Sequence, residues 1–259
     1  MNLAVYPAPR VSRPLWVRWL PWALILFGFL WGLGQAPLFD EDEGAFSEAT
    51  QEMVTSGDYL TTRVNGVLRF DKPILTYWLQ AASAYLFGFN EWAMRLPSAL
   101  ASIGWMLAIY GFARRRLDAT TARIAVIIAA CSLQITIIGK AAIADALLNA
   151  FLAVAMFCLY ESLTATRRRY AFGFWVAAAL GFLTKGPIAL LIPGAVGVIY
   201  LIRWRTWKGL GTLLYPPALL LFGVIALPWY WLEYGEQRQA FIDGFFMHHN
   251  VERFNNPFE

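Results

Sequence analysis

Charge is what this sequence has little of. Only 15% of its 259 residues are Asp, Glu, Lys or Arg, while 59% are hydrophobic; an average globular chain carries about 25% charged residues. That balance excludes an ordinary soluble domain. Runs of roughly 15–23 mostly apolar residues recur, and about 20 helical residues cross ~30 Å of hydrocarbon, so several membrane spans are expected. Cysteine is scarce too: Cys131 and Cys158 both fall inside apolar runs, which excludes a disulfide framework or a thiolate metal pair. Histidine occurs twice, as His248-His249. There is no repeat of fixed period, no low-complexity segment and no glycine-rich phosphate loop. The net charge of +4 comes from basic residues in short clusters between apolar runs, which is a topology signal and excludes a nucleic-acid partner. No small-residue cleavage site follows the first apolar run, because Gln35-Ala36-Pro37 leads straight into acids; that run is expected to be a retained span.

What is there concentrates between residues 39 and 73. Five acids, Asp40, Glu41, Asp42, Glu43 and Glu48, lie in nine positions of a chain that has 17 acids in all. Asp42 or Asp40 predicts the N-cap of a helix running to about Thr55 and closed by Gly57, with Phe46, Ala49 and Met53 on one face. Asn65-Gly66 predicts a tight turn between two short extended pieces, and Pro73 opens an apolar helix over 74–87 that is short for a crossing. The spans are expected at 19–34, 92–112, 124–138, 146–163, 170–183, 188–202 and 210–231. A basic tail at 1–18, with Arg10, Arg13 and Arg18, argues for a cytoplasmic N-terminus. If each of these runs crosses once, Arg114-Arg115-Arg116, Arg167-Arg168-Arg169 and the group Arg203, Arg205 and Lys208 all fall inside. The same count gathers Asp42, Asp71, Lys72, Lys140, Asp145, Lys185, His248, His249 and Arg253 outside.

Each of these residues fits two readings. Asp42-Glu43 is a helix cap with favourable dipole charges, or a carboxylate whose partial desolvation at the membrane boundary suits it to general-base work. Lys72 beside Asp71 is an exposed ion pair, or a point-charge ligand for a lipid phosphate. Asp145 is the N-cap of the fourth span, or a functional carboxylate at the membrane edge, with Lys140 in reach of it or of a phosphate. Lys185 snorkels to the interface or binds phosphate. His248-His249 is a polar surface pair, or supplies one imidazole to a divalent-metal site completed by carboxylates.

In order, Asp42-Glu43-Gly44-Ala45-Phe46, Ser56-Gly57-Asp58-Tyr59, Asn65-Gly66, Phe70-Asp71-Lys72-Pro73, Arg95-Leu96-Pro97-Ser98, Ala144-Asp145-Ala146-Leu147-Leu148, Leu183-Thr184-Lys185-Gly186-Pro187 and His249-Asn250-Val251-Glu252-Arg253-Phe254 resemble the GT-C superfamily of polyprenyl-phosphate-sugar-dependent glycosyltransferases. The branch is that of the bacterial aminoarabinose transferases and protein O-mannosyltransferases. Those transferases tend to carry Ala-Arg-Tyr where this chain has Gly44-Ala45-Phe46, Glu where it has Asp71, and an aromatic residue where it has Arg69. The resemblance implies an all-α polytopic membrane bundle of about seven spans, with a long first periplasmic loop over 35–91 carrying short surface helices. The domains expected are a cytoplasmic tail over 1–18, a transmembrane GT-C-like domain over 19–231 and a periplasmic segment over 232–259, the whole looking like the N-terminal half of such an enzyme.

The resemblance also implies residue roles. Asp42 matches the catalytic base and Asp145 an essential outward-facing carboxylate; Lys72 and Arg253 match contacts to the lipid-linked phosphate; Asp71 with His249 or His248 matches a site for one divalent metal ion. The reading of the residues themselves adds Glu43 to the catalytic candidates and Lys140 and Lys185 to the phosphate-binding ones. No nucleotide cofactor is implied. The partners implied are a polyprenyl-phosphate-linked sugar donor, membrane lipids, and a lipid A, glycan-lipid or protein acceptor at the periplasmic face of a bacterial inner membrane. A lipid-linked-sugar flippase, or an inactive membrane module, is the alternative.

Overall fold

The computed structural model of the chain describes residues 15–39, 41–205 and 207–245. Asp40, His248, His249 and Arg253 lie outside them. Among the described residues the architecture is all-α apart from one hairpin of two two-residue strands, and each expected apolar run is helical. The first run is α1 (Leu15–Leu30), the second α4 (Glu91–Arg116), the fourth α7 (Asp145–Ala165), the fifth α8 (Arg168–Lys185) and the sixth α9 (Ile188–Trp204). The third run breaks at Cys131-Ser132 into α5 (Ala119–Ala130) and α6 (Leu133–Gly139), bent by 67°. The seventh begins in a separate short helix, α10 (Trp207–Leu213), and continues as α11 (Pro216–Gln237).

By length and composition, α4, α7 and α11 can each cross a membrane, and α5 with α6 adds a fourth crossing if the bent pair counts as one. The expected seven crossings are therefore not reached by that criterion, because α1 and α9 are short and α8 begins and ends in charge. The runs nevertheless alternate in direction. α4 starts beside the acidic loop and ends at Arg116, which binds Glu161 near the far end of α7; α8 returns to place Lys185 against Asp145 at the start of α7.

Two kinds of packing hold the bundle. Large side chains such as Leu24, Phe27, Ile128, Ile199 and Leu220 point outward, which suits a lipid surround. Small residues fill the helix contacts, as expected where burial of oil against oil drives nothing and close backbone approach supplies the attraction. Ala171, Ala177, Ala178 and Ala179 of α8 are buried, and a Cβ added at Gly181 would lie 2.9 Å from the Ala189 Cβ of α9.

The segment from residue 39 to 73 folds as its local chemistry dictates. α2 (Glu41–Ser56) buries Phe46, Ala49 and Met53 and stops at Gly57, whose φ of +75° costs a glycine little. β1 (Arg63–Val64) and β2 (Val67–Leu68) pair antiparallel across Asn65-Gly66, both at positive φ (54° and 75°), the requirement of a type I′ hairpin. α3 (Leu75–Phe87) follows Pro73. These pieces share one apolar core with the bundle: Phe46, Met53, Ile74 and Tyr77 pack with Ala144, Leu183, Trp229, Phe241 and Phe245. Fully burying a side chain of this size stabilises by roughly 1.5–3 kcal/mol, so the loop is built into the fold as firmly as a helix.

Candidate active site

The acidic end of the bundle is organised by Glu43, which is 4% exposed. Its Oε1 accepts from Arg95 Nε (2.9 Å) and the Ala142 amide (2.6 Å), and its Oε2 from Arg95 Nη2 (2.8 Å) and the Phe39 amide (3.0 Å). Arg95 spends its remaining donors on the carbonyls of Leu33, Ala36 and Pro37 at 2.7–2.9 Å. One ion pair thus ties the end of α1, the turn after it, α2, α4 and the segment before α7. Burial alone would raise the Glu43 pKa; the Arg95 guanidinium and the Phe39 and Ala142 amides outweigh it and hold the carboxyl below its ordinary value. With four donors on two oxygens, Glu43 is a positioning residue. Gln80 of α3 reinforces the same seam, accepting from Thr50 Oγ1 and donating to the carbonyls of Met94 and Ala142.

Asp42 sits one residue before this anchor and points the other way, exposed in the first turn of α2. It is inside the helix and so does not cap it. Its charge acts on Tyr77 together with those of Arg69 and Asp71, which belong to a charged cluster. Asp71 binds Lys72 Nζ through Oδ1 (2.5 Å) and Arg69 Nη2 through Oδ2 (3.1 Å), so two cations share one carboxylate. The Arg69 carbonyl is held by Thr62 Oγ1 and its amide donates to the Thr62 carbonyl, extending the hairpin to the cluster. Beneath lies Tyr77, fully buried and stacked on Phe46 at 5.0 Å. Burial pushes its phenol well above the ordinary value; Arg69 opposes that, while Asp71 and Asp42 add to it. The hydroxyl therefore stays protonated. The Arg69 guanidinium lies against the Tyr77 hydroxyl and favours its charged form, while Tyr77 Oη and Arg69 Nε, both shielded from solvent, complete no hydrogen bond of good geometry among the described residues.

A second pair lies on the same core. Asp145 is the first residue of α7, after a helical Ala144 that offers no side-chain cap, and its carboxylate receives Lys185 Nζ at 2.8 Å. The cap expected of Asp145 is thus replaced by an ion pair across to α8. Lys140, expected near Asp145 or a phosphate, instead donates to the Trp31 carbonyl at the end of α1 (3.0 Å). Ala144 and Leu183, the neighbours of this pair, pack in one cluster with Phe46 and Tyr77.

The fold therefore brings Asp42, Asp71 and Lys72 together with Arg69 and Tyr77, sets Asp145 with Lys185 beside them, and leaves Lys140 apart. Among the described residues no group of three metal-ligating side chains exists; Asp71 has both oxygens on cations, and the two histidines lie outside the described residues. Sequence reasoning gave no role to Arg95, Tyr77, Gln80 or Glu233. Arg95 carried a usable signal, a lone charge within an apolar run that requires a buried partner. Glu233, 1% exposed on α11, binds Thr61 Oγ1 through both oxygens (3.0 and 3.1 Å), and Trp229 Nε1 donates to the Leu60 carbonyl, so α11 clamps the loop from behind.

Known proteins resemble the chain in sequence and in fold. The chain is 35% identical over 216 residues to the undecaprenyl phosphate-alpha-4-amino-4-deoxy-L-arabinose arabinosyl transferase of Aeromonas hydrophila, covering 80% of this chain and 39% of that one. It is 36% identical over 214 residues to the enzyme of the same name from Aeromonas salmonicida, covering 80% and 38%. The crystal structure of ArnT from Cupriavidus metallidurans bound to undecaprenyl phosphate superposes with a TM-score of 0.85 at 27% identity, over 91% of this chain and 44% of that one. Its apo form gives 0.84. The chain spans about two fifths of the length of the curated relatives it matches. The profile described as dolichyl-phosphate-mannose-protein mannosyltransferase matches residues 71–231, from the Asp71-Lys72 pair to the end of the last apolar run. The chain belongs to that family of GT-C membrane proteins.

Proposed function

We propose that the chain forms the donor-phosphate and base side of a glycosyltransferase site that moves one sugar from a polyprenyl-phosphate carrier to an acceptor. The observation that carries this reading is the cluster at Asp71: two cations on one carboxylate, with the Arg69 guanidinium lying against the buried Tyr77 hydroxyl. Two cations that share one carboxylate are each only partly neutralised by it, which suits them to an oxygen-rich anion. In the reaction, an acceptor oxygen or nitrogen attacks the anomeric carbon, the bond from that carbon to the phosphate oxygen breaks, and the proton of the nucleophile passes to Asp42. Polyprenyl phosphate leaves with the bonding pair, its charge met by Lys72 and Arg69. Arg253 is assigned to the same phosphate from the sequence motif. Asp145, paired with Lys185, borders the acceptor side. A divalent metal at Asp71 with His249 or His248 requires Asp71 to exchange one of its two cations for the ion.

The acidic end is assigned to the periplasmic side of a bacterial inner membrane, because the arginine clusters lie at the opposite end of the bundle and cytoplasmic loops carry such excess. The activity for which the Aeromonas relatives are named makes a 4-amino-4-deoxy-L-arabinose carrier the first donor to try, with lipid A, a glycan lipid or protein hydroxyls as acceptors. The test is release of labelled sugar from undecaprenyl phosphate by the chain in lipid nanodiscs. Asp42→Asn should lower turnover at least ~100-fold, the scale of a general base, while keeping donor binding; Lys72→Ala should weaken donor binding. Turnover indifferent to Asp42 removes the transferase reading, and lipid transport that survives Asp42→Asn would favour a flippase.

A further inference from the structure

At the end of the bundle away from Asp42, α1, α4 and α5 border a half-open cavity of about 420 Å³. Its wall on α4 is one helix face, Ile103, Leu107, Tyr110 and Arg114 at successive turns, with Trp22 across from it on α1 and Arg123 on α5. Arg114 is in the last turn of α4 and Arg123 in the second turn of α5, so both guanidinium groups stand at the same end of an otherwise apolar space. Arg114 rests over the Tyr110 ring at 5.9 Å. Among the described residues neither arginine has an ion pair. The nearby charges are committed elsewhere: Arg116 to Glu161 and Thr164, Arg115 over Tyr170. Asp118, the closest acid in sequence, caps α5 by accepting from the Thr120 and Thr121 amides and from Thr121 Oγ1. A second cavity of about 350 Å³, lined by Phe29 among others and sharing Ile25, continues along α1.

A water-soluble anion would have no use for the apolar wall, and a neutral lipid none for two uncompensated guanidinium groups. We infer that this cavity is a binding site for an anionic diacyl phospholipid, its phosphate at Arg114 and Arg123 and its acyl chains along the apolar wall and into the second cavity. The lipid belongs to the leaflet opposite the glycosyl donor. Nineteen residues of continuous helix separate Arg95, which anchors the acidic end, from Arg114, and at 1.5 Å per residue that is about 28 Å, the thickness of the hydrocarbon layer. Bound there, the lipid would bridge α1 to α4 and α5.

Native mass spectrometry of the full chain, released from nanodiscs containing phosphatidylglycerol and phosphatidylcholine in equal amounts, tests the site. The expected result is selective retention of phosphatidylglycerol by the wild type and roughly 30-fold weaker retention by Arg114→Ala/Arg123→Ala, from the usual contribution of two basic residues at an anionic membrane surface. Leu107→Trp, which fills the cavity from a half-exposed position and leaves the charges in place, should also lower retention. Lys72→Ala should not change it. Equal retention of the two lipids, or selectivity unchanged in the double arginine variant or in Leu107→Trp, would overturn the inference. So would loss of selectivity in Lys72→Ala, which would put the bound lipid at the other end.

Discussion

Removing the Glu43 carboxylate should destabilise the chain by breaking a buried ion pair at the acidic end. Glu43→Ala leaves the buried Arg95 guanidinium without its counter-charge and strands the Phe39 and Ala142 amides. Breaking a buried pair from one side costs about 3–5 kcal/mol. Arg95 keeps its bonds to the carbonyls of Leu33, Ala36 and Pro37, so the lower figure, about 3 kcal/mol, is expected. For a chain of this size that is a fall in Tm of roughly 6–12 °C. Glu43→Gln, which keeps the shape and loses the charge, isolates the ionic part by pH. The folded pKa of Glu43 lies below its ordinary value of 4.5, so its stabilising contribution is complete above that pH and is lost as pH falls through the folded pKa. Thermal unfolding in nanodiscs between pH 7 and pH 3 should therefore show a constant gap between wild type and Glu43→Gln down to about 4.5, closing below it. Asp42→Ala, one residue away and exposed, should lie within about 0.5 kcal/mol of wild type throughout. A Glu43→Ala cost under about 1 kcal/mol, or a gap that widens on acidification, would refute the assignment of Glu43 as the ionised anchor.

Gly209→Ala should cost about 1–3 kcal/mol, because its Cβ would meet the Leu163 backbone at 2.5 Å where α10 crosses α7; Gly104→Ala in α4, with open space around it, should be neutral or stabilising by up to ~1 kcal/mol, and unfolding curves of the two decide whether close approach or glycine itself is at issue. Asp145→Asn breaks a pair whose side chains are 37% and 29% exposed, so stability should change by less than ~1 kcal/mol; a large loss of turnover in a variant of normal Tm would then mark Asp145 as functional. Gly66→Ala should cost about 1 kcal/mol, since φ is +75° there with no steric neighbour, and should lower donor binding if the hairpin positions Arg69.

Local and periodic features were legible because they depend only on near neighbours in sequence. The apolar runs, the helix closed by Gly57, the Asn65-Gly66 hairpin, the helix after Pro73 and the segregation of Arg114–116 from the acidic loop all follow from composition at fixed spacing. The Asp71-Lys72 pair was visible as adjacent residues. The break at Cys131-Ser132 was not, since the run around it reads as continuously apolar and nothing local demands the 67° bend. Partner choice was hidden as well. Lys140 is five residues from Asp145 but bonds the Trp31 carbonyl, while Lys185, forty residues away, takes the carboxylate. Sequence by itself determined that this is a membrane helix bundle with its acidic loop and its arginine clusters at opposite ends, because hydrophobicity and charge act residue by residue. Only the tertiary structure decided that Glu43 is an anchor while Asp42 faces outward, and that Arg69 lies against the buried Tyr77 hydroxyl. A buried ion's role depends on which groups, tens of residues away, the fold brings within 3 Å to satisfy it.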